Sequence, residues 1–271
     1  MQRVVLISGA SRGIGLASAV RLARGGWAVV GLSRSTDGDA ALREAGALPL
    51  SADVTDVTSM QRAFQTIAAQ HGRLDAVIAN AGAGLVGCFE DLDDAQIRAL
   101  FEVNVFGVLA LTRLALPALR ASQGRVVVIS SVAGRLAAPS SSAYAASKFA
   151  VEGWAEALRH ELAPFRVPVV LIEPGATRTD FFRARARGTR VGTGAYASLS
   201  ARLLALQDAQ STKGVDPDVV ARSIERALVD PAPPLRVPTG AGTRAQLLAR
   251  RLLPWRVYEG LLRLALRLPE P

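Results

Sequence analysis

The chain has 271 residues, of which half are hydrophobic and one-fifth are charged, and this balance excludes a disordered protein because enough apolar surface can be buried to offset ordering entropy. One cysteine and two histidines exclude an internal disulfide and a metal cluster of the usual ligand spacing, so we expect a reducing compartment and no bound metal. The net charge of +9 comes from two arginine-rich stretches, residues 178–190 and 236–271.

No nucleic-acid-binding module accompanies these arginines, so nucleic acid is not an expected partner. No uncharged apolar run approaches the roughly 18 residues that span a bilayer. The chain opens directly on a short apolar run without the pattern of a signal peptide. We therefore expect a soluble protein located in the cytoplasm.

Short apolar runs alternate with longer stretches of helical periodicity in the first two-thirds of the chain. Strands are predicted at residues 4–8, 28–33, 47–51, 76–80, 125–130 and 168–173, and helices at residues 14–24, 39–45, 57–71, 96–122 (one helix or two) and 143–163. Strands that are apolar on both faces and separated by helices imply a parallel sheet covered on both sides. The predicted fold class is α/β, a doubly wound parallel sheet of Rossmann type.

The pattern is looser after residue 173. Helices are predicted at residues 196–207 and 216–228, a short strand at 235–238, and an amphipathic tail at 246–268 with a break at Pro254. No internal repeat and no domain linker is evident. We therefore expect a single main domain over residues 1–240 and a helical extension over residues 241–271 that packs on it.

A glycine-rich turn, Ser-Gly-Ala-Ser-Arg-Gly-Ile-Gly, connects the first predicted strand to the first helix over residues 8–15. Gly9, Gly13 and Gly15 allow a tight turn and a close approach of the backbone to phosphate, so a pyrophosphate can bind at the helix N-terminus. The spacing GxxxGxG differs from the common GxGxxG. The strand, turn and helix context nevertheless predicts dinucleotide binding.

The end of the second predicted strand indicates which dinucleotide binds. An NAD site places an acidic residue there, whereas this chain has Ser33 and Arg34, and Asp37 beyond them is interpreted as a turn residue. Arg34 and Arg12 can bind a 2′-phosphate through charge-assisted hydrogen bonds. The alternative is that both are solvated residues of an arginine-rich chain. The prediction is NADP(H) in preference to NAD(H).

Tyr144 and Lys148 are four residues apart and therefore share one face of the predicted helix. A phenol with a pKa of about 10 is a poor acid or base at neutral pH unless a cation favours the phenolate. Lys148, one of only two lysines, supplies that cation. Ser131 lies at the carboxyl end of a parallel strand, where ligands bind in open α/β sheets, and its hydroxyl can hold a carbonyl oxygen beside the phenol.

Together these motifs resemble the short-chain dehydrogenase/reductase family over roughly residues 1–240. The resemblance is carried by the glycine turn, Asn80-Ala81-Gly82, Asn104, Ser131 with Tyr144-x-x-x-Lys148, and Pro174-Gly175. The turn opens with Ser8 where the family usually has threonine, which keeps the hydroxyl. The apolar C-terminal tail resembles the subgroup of 17β-hydroxysteroid and retinol dehydrogenases.

The resemblance implies four catalytic residues. Tyr144 would donate and accept the proton, and Ser131 would orient the substrate carbonyl. Lys148 would lower the pKa of Tyr144 and bind the nicotinamide ribose, and Asn104 would hold a water of the proton relay. The implied cofactor-binding residues are Gly9, Gly13, Ile14 and Gly15 at the pyrophosphate, Asp53 and Val54 at the adenine, Asn80 at the adenosine-side ribose, and Pro174, Gly175, Thr177 and Thr179 at the nicotinamide. The predicted cofactor site further includes Ser11, Arg12, Ser33, Arg34, Ala81, Gly82, Tyr144 and Lys148.

The resemblance further implies that residues 178–215 form a lid over the substrate and that the protein is a homodimer or homotetramer. The expected activity is NADP(H)-dependent interconversion of a ketone or aldehyde with an alcohol, on a bulky lipophilic substrate such as a steroid or retinoid. Two alternatives are a 3-oxoacyl-thioester reductase, whose basic rim would attract an acidic carrier protein, and an NADPH-sensing scaffold. The tail could pack on the body or a dimer partner, wall an apolar pocket, or lie on an anionic membrane surface.

Overall fold

The computed structural model describes residues 2–34, 39–266 and 268. Nine strands are present within these ranges: β1 (Val4–Ser8), β2 (Ala28–Ser33), β3 (Leu48–Ser51), β4 (Ala76–Ala79), β5 (Leu85–Val86), β6 (Arg125–Ile129), β7 (Val169–Pro174), β8 (Ala186–Arg187) and β9 (Arg236–Thr239). The turn residue Asp37, and residues 267 and 269–271 of the predicted extension, lie outside the described residues.

The same ranges contain eleven α-helices, which are α1 (Gly13–Arg24), α2 (Asp39–Glu44), α3 (Val57–His71), α4 (Asp94–Phe101), α5 (Gly107–Ser122), α6 (Ser142–Leu162), α7 (Phe181–Ala184), α8 (Ala197–Thr212), α9 (Pro217–Val229), α10 (Thr243–Leu252) and α11 (Trp255–Leu266). The α8 helix continues five residues beyond its predicted end at residue 207. The other predicted elements are present with boundaries shifted by a few residues at most.

Seven strands form one parallel sheet in the order β3-β2-β1-β4-β6-β7-β9. Leu6 of β1 pairs with Val30 of β2 on one side and with Val77 of β4 on the other. The chain therefore reverses its winding direction between β1 and β4. In such sheets the ligand crevice lies at the carboxyl ends of the strands at this reversal. The predicted doubly wound α/β fold is confirmed.

Helices cover both faces of the sheet and bury two hydrophobic clusters. On one face, Met60 of α3, Leu111 of α5 and Val151 of α6 pack against the strands, and on the other, Leu22 of α1 and Ile224 of α9 do so. All five residues of β1 are buried because successive side chains point to opposite, equally covered faces. This explains why the central strands read as continuous apolar runs.

The predicted helical stretch at residues 96–122 consists of α4 and α5 joined by a π-helical turn, Glu102–Phe106. By length and composition the run Asp94–Ser122 is apolar enough to cross a membrane. In this fold it instead contributes Val108, Leu111 and Leu119 to the hydrophobic core. The π turn holds Asn104 and faces the carboxyl edge of the sheet, where π-helical turns frequently mark functional positions.

The segment after β7 folds back over the loop that follows β4. The short strand β8 pairs with β5 in parallel, with Leu85 opposite Ala186. Between α7 and β8, the buried guanidinium of Arg185 forms an ion pair of 2.7 Å with Asp208 of α8. The strand pairing attaches the predicted lid to the body, and the ion pair joins two parts of the lid to each other.

The C-terminal extension is anchored at its beginning. Thr243 is buried and its hydroxyl donates to the carbonyl oxygen of Thr239 at 3.3 Å. Among the described side chains of α10, Thr243 is the only buried one, and none in α11 is buried. Thr243, the first residue of α10, is thus the one described side chain of α10 and α11 that is buried. That the extension packs on the domain stays a prediction for its remaining residues.

Candidate active site

The glycine-rich turn between β1 and α1 is shaped for close approach of a ligand. Gly9 and Gly13 have positive φ angles of 65° and 56°, which side chains other than glycine rarely adopt. A Cβ atom at Gly15 would lie 2.2 Å from the carbonyl oxygen of Gly9. The backbone therefore requires glycine at all three positions. The turn directs the N-terminus of α1 toward the crevice, and the backbone amides and dipole of that helix end favour binding of a phosphate.

Ser8 and Asn80 hold this turn against the end of β4. The Ser8 hydroxyl accepts hydrogen bonds from the amides of Asn80 and Ala81, both at 3.0 Å. The Asn80 side-chain amide donates to the carbonyl oxygens of Ser8 and Gly9 at 2.9 and 3.0 Å. The resemblance places Asn80 at the cofactor ribose. In the structure its side-chain amide stabilises the glycine turn.

Arg12 lies in the glycine turn and Arg34 directly follows the end of β2. Both side chains are exposed, and neither forms an ion pair with any residue that the structure describes. Ser33 is buried at the end of β2. Asp53 lies past the end of β3, where its carboxylate accepts from the amide and the hydroxyl of Thr55, both at 2.9 Å. The Asp53 carboxylate thus stabilises the turn that follows β3.

Ser131, Tyr144 and Lys148 come together at the carboxyl end of β6. The Ser131 side chain accepts from the amide of Ala133 at 3.1 Å and hydrogen-bonds with the phenol of Tyr144. One helical turn further along α6, the buried Lys148 ammonium donates to the carbonyl oxygen of Ile129 at 2.9 Å. A Cβ added at Gly82 would lie 3.9 Å from this nitrogen, so the loop after β4 passes close to Lys148.

Burial controls the pKa values of both titratable groups. It raises the pKa of Tyr144 to about 12, and the hydrogen bond with Ser131 opposes this only in part. Burial lowers the pKa of Lys148 to about 8, and the negative charge of Glu152 raises it by a smaller amount. The expected lowering of the Tyr144 pKa by Lys148 is not seen, because desolvation dominates and the ammonium is 6.0 Å from the ring centroid. The phenol is therefore protonated at neutral pH.

Asn104 braces the loop after β4 against α6. Its side-chain oxygen accepts from the amide of Ala83 at 2.7 Å, and its nitrogen donates to the Ala83 carbonyl at 3.0 Å and to the Ser147 hydroxyl at 3.1 Å. The Ser147 hydroxyl donates in turn to the carbonyl oxygen of Tyr144 at 2.7 Å. The Asn104 side chain thus supports the position of Tyr144, and all its hydrogen-bonding groups already have protein partners.

The segment after β7 closes the crevice on the nicotinamide side. The Gly175 amide donates to the carbonyl of Thr239 at 2.9 Å, and the buried Thr177 hydroxyl donates to the carbonyl of Gly175 at 3.2 Å. Thr179 reaches the glycine turn, since a Cβ at Gly13 would lie 3.2 Å from its methyl group. The ring of Phe181 lies 5.9 Å from that of Tyr144. The segment after β7 therefore contacts both the glycine turn and Tyr144.

The remaining predicted residues also line this edge of the sheet. Ser11 lies in the glycine turn, and Ile14 packs from the first turn of α1 against the core. Val54 is buried after β3, Ala81 lies two residues past the end of β4, and Pro174 ends β7. The glycine cradle and the exposed arginine pair fit a dinucleotide.

Sequence reasoning missed a buried charge cluster behind Lys148. Arg236 of β9 lies 2.8 Å from a carboxylate oxygen of Glu152 and 3.6 Å from one of Glu173, and Arg135 lies 3.2 Å from Glu173. Burial, and next the charge of Glu152, raise the pKa of Glu173. One signal was available, because Glu152 follows Lys148 by one helical turn and a carboxylate at the end of a buried strand is unusual.

A dinucleotide cradle next to a hydrogen-bonded serine and tyrosine with a buried lysine defines an oxidoreductase of the dinucleotide-binding class. The family model described as short chain dehydrogenase matches residues 3–189, and the chain belongs to the short-chain dehydrogenase family. It is 32% identical to 3-ketodihydrosphingosine reductase of Bacteroides thetaiotaomicron over 98% of this chain and 97% of that protein. It is 36% identical to retinol dehydrogenase 8 of Bos taurus over 86% of this chain and 80% of that protein.

Among solved structures, a short-chain dehydrogenase from Streptomyces avermitilis superimposes with a TM-score of 0.83 at 35% identity, covering 98% of both chains. The family membership and the resemblance to retinol dehydrogenases predicted from the sequence are confirmed. The resemblance to hydroxysteroid dehydrogenases stays a prediction.

Proposed function

We propose that this oxidoreductase uses NADP(H) to interconvert a ketone or aldehyde with the corresponding alcohol, on a bulky lipophilic substrate. The observation that carries the proposal is the protonated Tyr144 phenol, which is hydrogen-bonded to Ser131 and has Lys148 one helical turn away. A phenol in this state is a proton donor for a carbonyl oxygen.

A bound nicotinamide supplies the hydride in such a reaction, while the protein supplies position and the proton. In carbonyl reduction, the hydroxyl groups of Ser131 and Tyr144 hold the substrate oxygen, and Tyr144 gives it a proton as negative charge develops there. The Lys148 ammonium then offsets part of the charge of the phenolate that remains, while burial still keeps the pKa of that phenol high. It also binds a ribose hydroxyl beside Gly82. In alcohol oxidation, Tyr144 accepts the proton in its phenolate form.

The preference for NADP(H) rests on charge at the end of β2. Arg34 and Arg12 are exposed at the glycine turn and the end of β2, and neither pairs with a carboxylate among the described residues. A guanidinium group can form a bidentate, charge-assisted contact with a 2′-phosphate. A carboxylate that would accept from the ribose hydroxyls of NAD is absent from the described end of this strand, where the buried Ser33 lies.

The lipophilic substrate is supported by the lid and by the relatives. Phe181 presents an aromatic ring to the reacting phenol, and this ring shields the proton transfer from water. The two relatives described above are named for 3-ketodihydrosphingosine and retinol, both of which carry long apolar chains. A site lined by the Phe181 ring favours a large apolar alcohol or ketone.

The thioester-reductase alternative is less favoured. Three arginines of the basic run that would attract an acidic carrier protein have protein partners: Arg178 pairs with Asp216 at 3.2 Å, Arg185 pairs with Asp208, and Arg190 donates to the carbonyl of Glu90. The scaffold alternative does not require the Ser131–Tyr144 hydrogen bond. It is tested by the same experiment as the main proposal.

The test measures the oxidation of NADPH and of NADH with long-chain ketones, retinal, steroid ketones, simple ketones and a 3-oxoacyl thioester. We expect turnover with an apolar carbonyl and NADPH, and a loss of at least about 100-fold in Tyr144→Phe because the proton donor is removed. Unchanged binding of NADPH in this variant controls for folding. Full turnover by Tyr144→Phe would refute the mechanism, and NADPH binding without turnover of any substrate would favour the scaffold.

A further inference from the structure

The two C-terminal helices, α10 and α11, form a hairpin that is bent at Pro254 and extends from the end of β9. We call residues 243–266 the C-terminal hairpin. Arg250 stacks over the rings of Trp255 and Tyr258, at 4.9 and 5.3 Å from their centroids, and this contact holds the two helices together. None of the side chains of α11 is buried, so the hairpin has a defined shape but an uncovered surface.

The uncovered surface is apolar and continuous along each helix. Leu248 and Leu252 are four residues apart on α10, and Val257, Leu261 and Leu264 recur at helical spacing on α11, which places each set on one face. All five side chains are at least half exposed, with Leu252 at 68% and Leu264 at 77%. Soluble domains rarely leave such a stripe in water unless it has a binding partner.

Arginines border this apolar stripe. The hairpin contains five arginines and a single acidic residue, Glu259, which pairs with Arg263 at 3.7 Å. With about 3.6 residues per helical turn, Arg251 and Arg256 lie next to the stripe on their helices. Both are exposed and form no ion pair with a residue in the described part of the chain. Guanidinium groups at this position can reach phosphate groups while the neighbouring leucines enter an apolar layer.

We propose that the C-terminal hairpin binds the surface of a membrane that contains anionic phospholipids. An apolar stripe bordered by arginines, with Trp255 and Tyr258 at the bend, is the pattern of helices that lie in the membrane interface. The charge selects this partner over a second copy of the hairpin, because two copies would bring like charges together while anionic headgroups neutralise them.

The position of the hairpin connects it to the active site. Its first residue, Thr243, lies against Gly175, where an added Cβ would be 2.6 Å from the Thr243 hydroxyl. Gly175 belongs to the segment that closes the crevice on the nicotinamide side. The hairpin therefore begins at the sheet edge where substrate binds. If the proposed function holds, an apolar substrate dissolved in the bilayer is available at this edge.

The test is flotation of the full-length protein with vesicles of phosphatidylcholine alone or mixed with phosphatidylglycerol. We expect binding to the mixed vesicles that weakens as salt is added. The Arg251→Gln and Arg256→Gln changes should each reduce it about fivefold, since an arginine near an anionic surface contributes on the order of 1 kcal/mol. Leu261→Gln with Leu264→Gln should reduce it more than tenfold, because about 0.8 kcal/mol is lost for each methylene no longer buried.

Arg226→Gln and Val229→Gln are matched controls, because both residues are exposed on α9 and lie outside the hairpin. The proposal is overturned if the unmodified protein does not bind vesicles, or if it binds equally well with and without anionic lipid. It is also overturned if the control variants lose as much binding as the hairpin variants. A drop in oligomeric mass of the hairpin variants in the absence of lipid would overturn it too, because the stripe would then be an interface between copies. Vesicle binding is measured without substrate, so it stands or fails independently of the proposed activity.

Discussion

At the scale of single residues, the Lys148 ammonium is held between two opposing influences. Burial favours its neutral form and brings its pKa to about 8, while the carboxylate of Glu152 acts in the opposite direction. Glu152 is itself buried and held by Arg236. The charge state of Lys148 thus depends on Glu152, and in the proposed mechanism Glu152 is a positioning residue.

This arrangement gives the pH dependence a direction. Carbonyl reduction needs the protonated lysine, so its kcat/KM should fall as pH rises through about 8. Alcohol oxidation needs the phenolate, so its rate should increase with pH toward the Tyr144 pKa of about 12. In Glu152→Gln the fall in reduction should move to lower pH, because the charge that raises the Lys148 pKa is removed. Rate profiles against pH in both directions measure these shifts.

Glu156→Gln is the matched control, because Glu156 binds the same arginine, Arg236, at 2.6 Å but is exposed. Its profile should coincide with that of the unmodified enzyme. Lys148→Arg should lose the fall near pH 8, since a guanidinium does not deprotonate in this range. Identical profiles for Glu152→Gln and Glu156→Gln would show that Glu152 acts only on folding.

A second residue-scale prediction concerns cofactor choice. Arg34→Asp should raise the KM for NADPH at least about tenfold, because a charge-assisted contact worth about 1.5–3 kcal/mol is replaced by repulsion of the 2′-phosphate. The KM for NADH should stay the same or fall. Arg226→Asp, at another exposed site, makes the same charge change and should affect neither. Equal effects of Arg34→Asp on both cofactors would remove the phosphate assignment.

At the scale of elements, the glycine turn has no space for a side chain. Gly15→Ala should destabilise the protein by about 1–3 kcal/mol, the usual cost of overpacking, because its Cβ would meet the Gly9 carbonyl at 2.2 Å. Gly153→Ala is the contrasting change, since Gly153 lies in α6 with no atom within 4 Å of an added Cβ. There we expect a gain of about 0.5–1 kcal/mol. Urea unfolding measures both values.

The sequence predicts elements well where one physical rule dominates. The strands are buried on both faces, so apolar runs locate them. Helix α3 begins after Asp56, whose side chain accepts a hydrogen bond from the Thr58 amide, and ends before Gly72, which is left-handed with φ of 67°. Tyr144 and Lys148 on α6 and Ser131 just past the end of β6 are brought together by these positions alone.

Contacts between distant segments could not be predicted in this way. The pairing of Arg236 with Glu152 joins residues that are far apart in the chain. Phe181 lies against Tyr144 only because the short strand β8 pairs with β5. The uncovered face of α11 was also beyond prediction, because an amphipathic pattern indicates an apolar face without indicating what covers it.

At the scale of the whole molecule, assembly into a homo-oligomer stays a prediction that exposed aromatic residues support. Phe106, in the π turn with Asn104, and Phe149 of α6 are 55% and 46% exposed. Phe149→Glu should reduce the mass measured by light scattering, since a charge would be placed in the contact. Phe89→Glu, at another exposed phenylalanine, should not. A monomeric unmodified protein would contradict the prediction.

The segment that follows β7 has a consequence for the kinetics of the enzyme. Thr179 contacts the glycine turn and Phe181, two residues later, contacts Tyr144, so one short stretch of chain spans both halves of the crevice. In the proposed binding mode, a dinucleotide on the glycine turn lies beneath this stretch, so we expect the stretch to move when the dinucleotide enters or leaves and to displace Phe181 from Tyr144 as it does so. We therefore expect a compulsory order in which the dinucleotide binds before the carbonyl compound and departs after the alcohol.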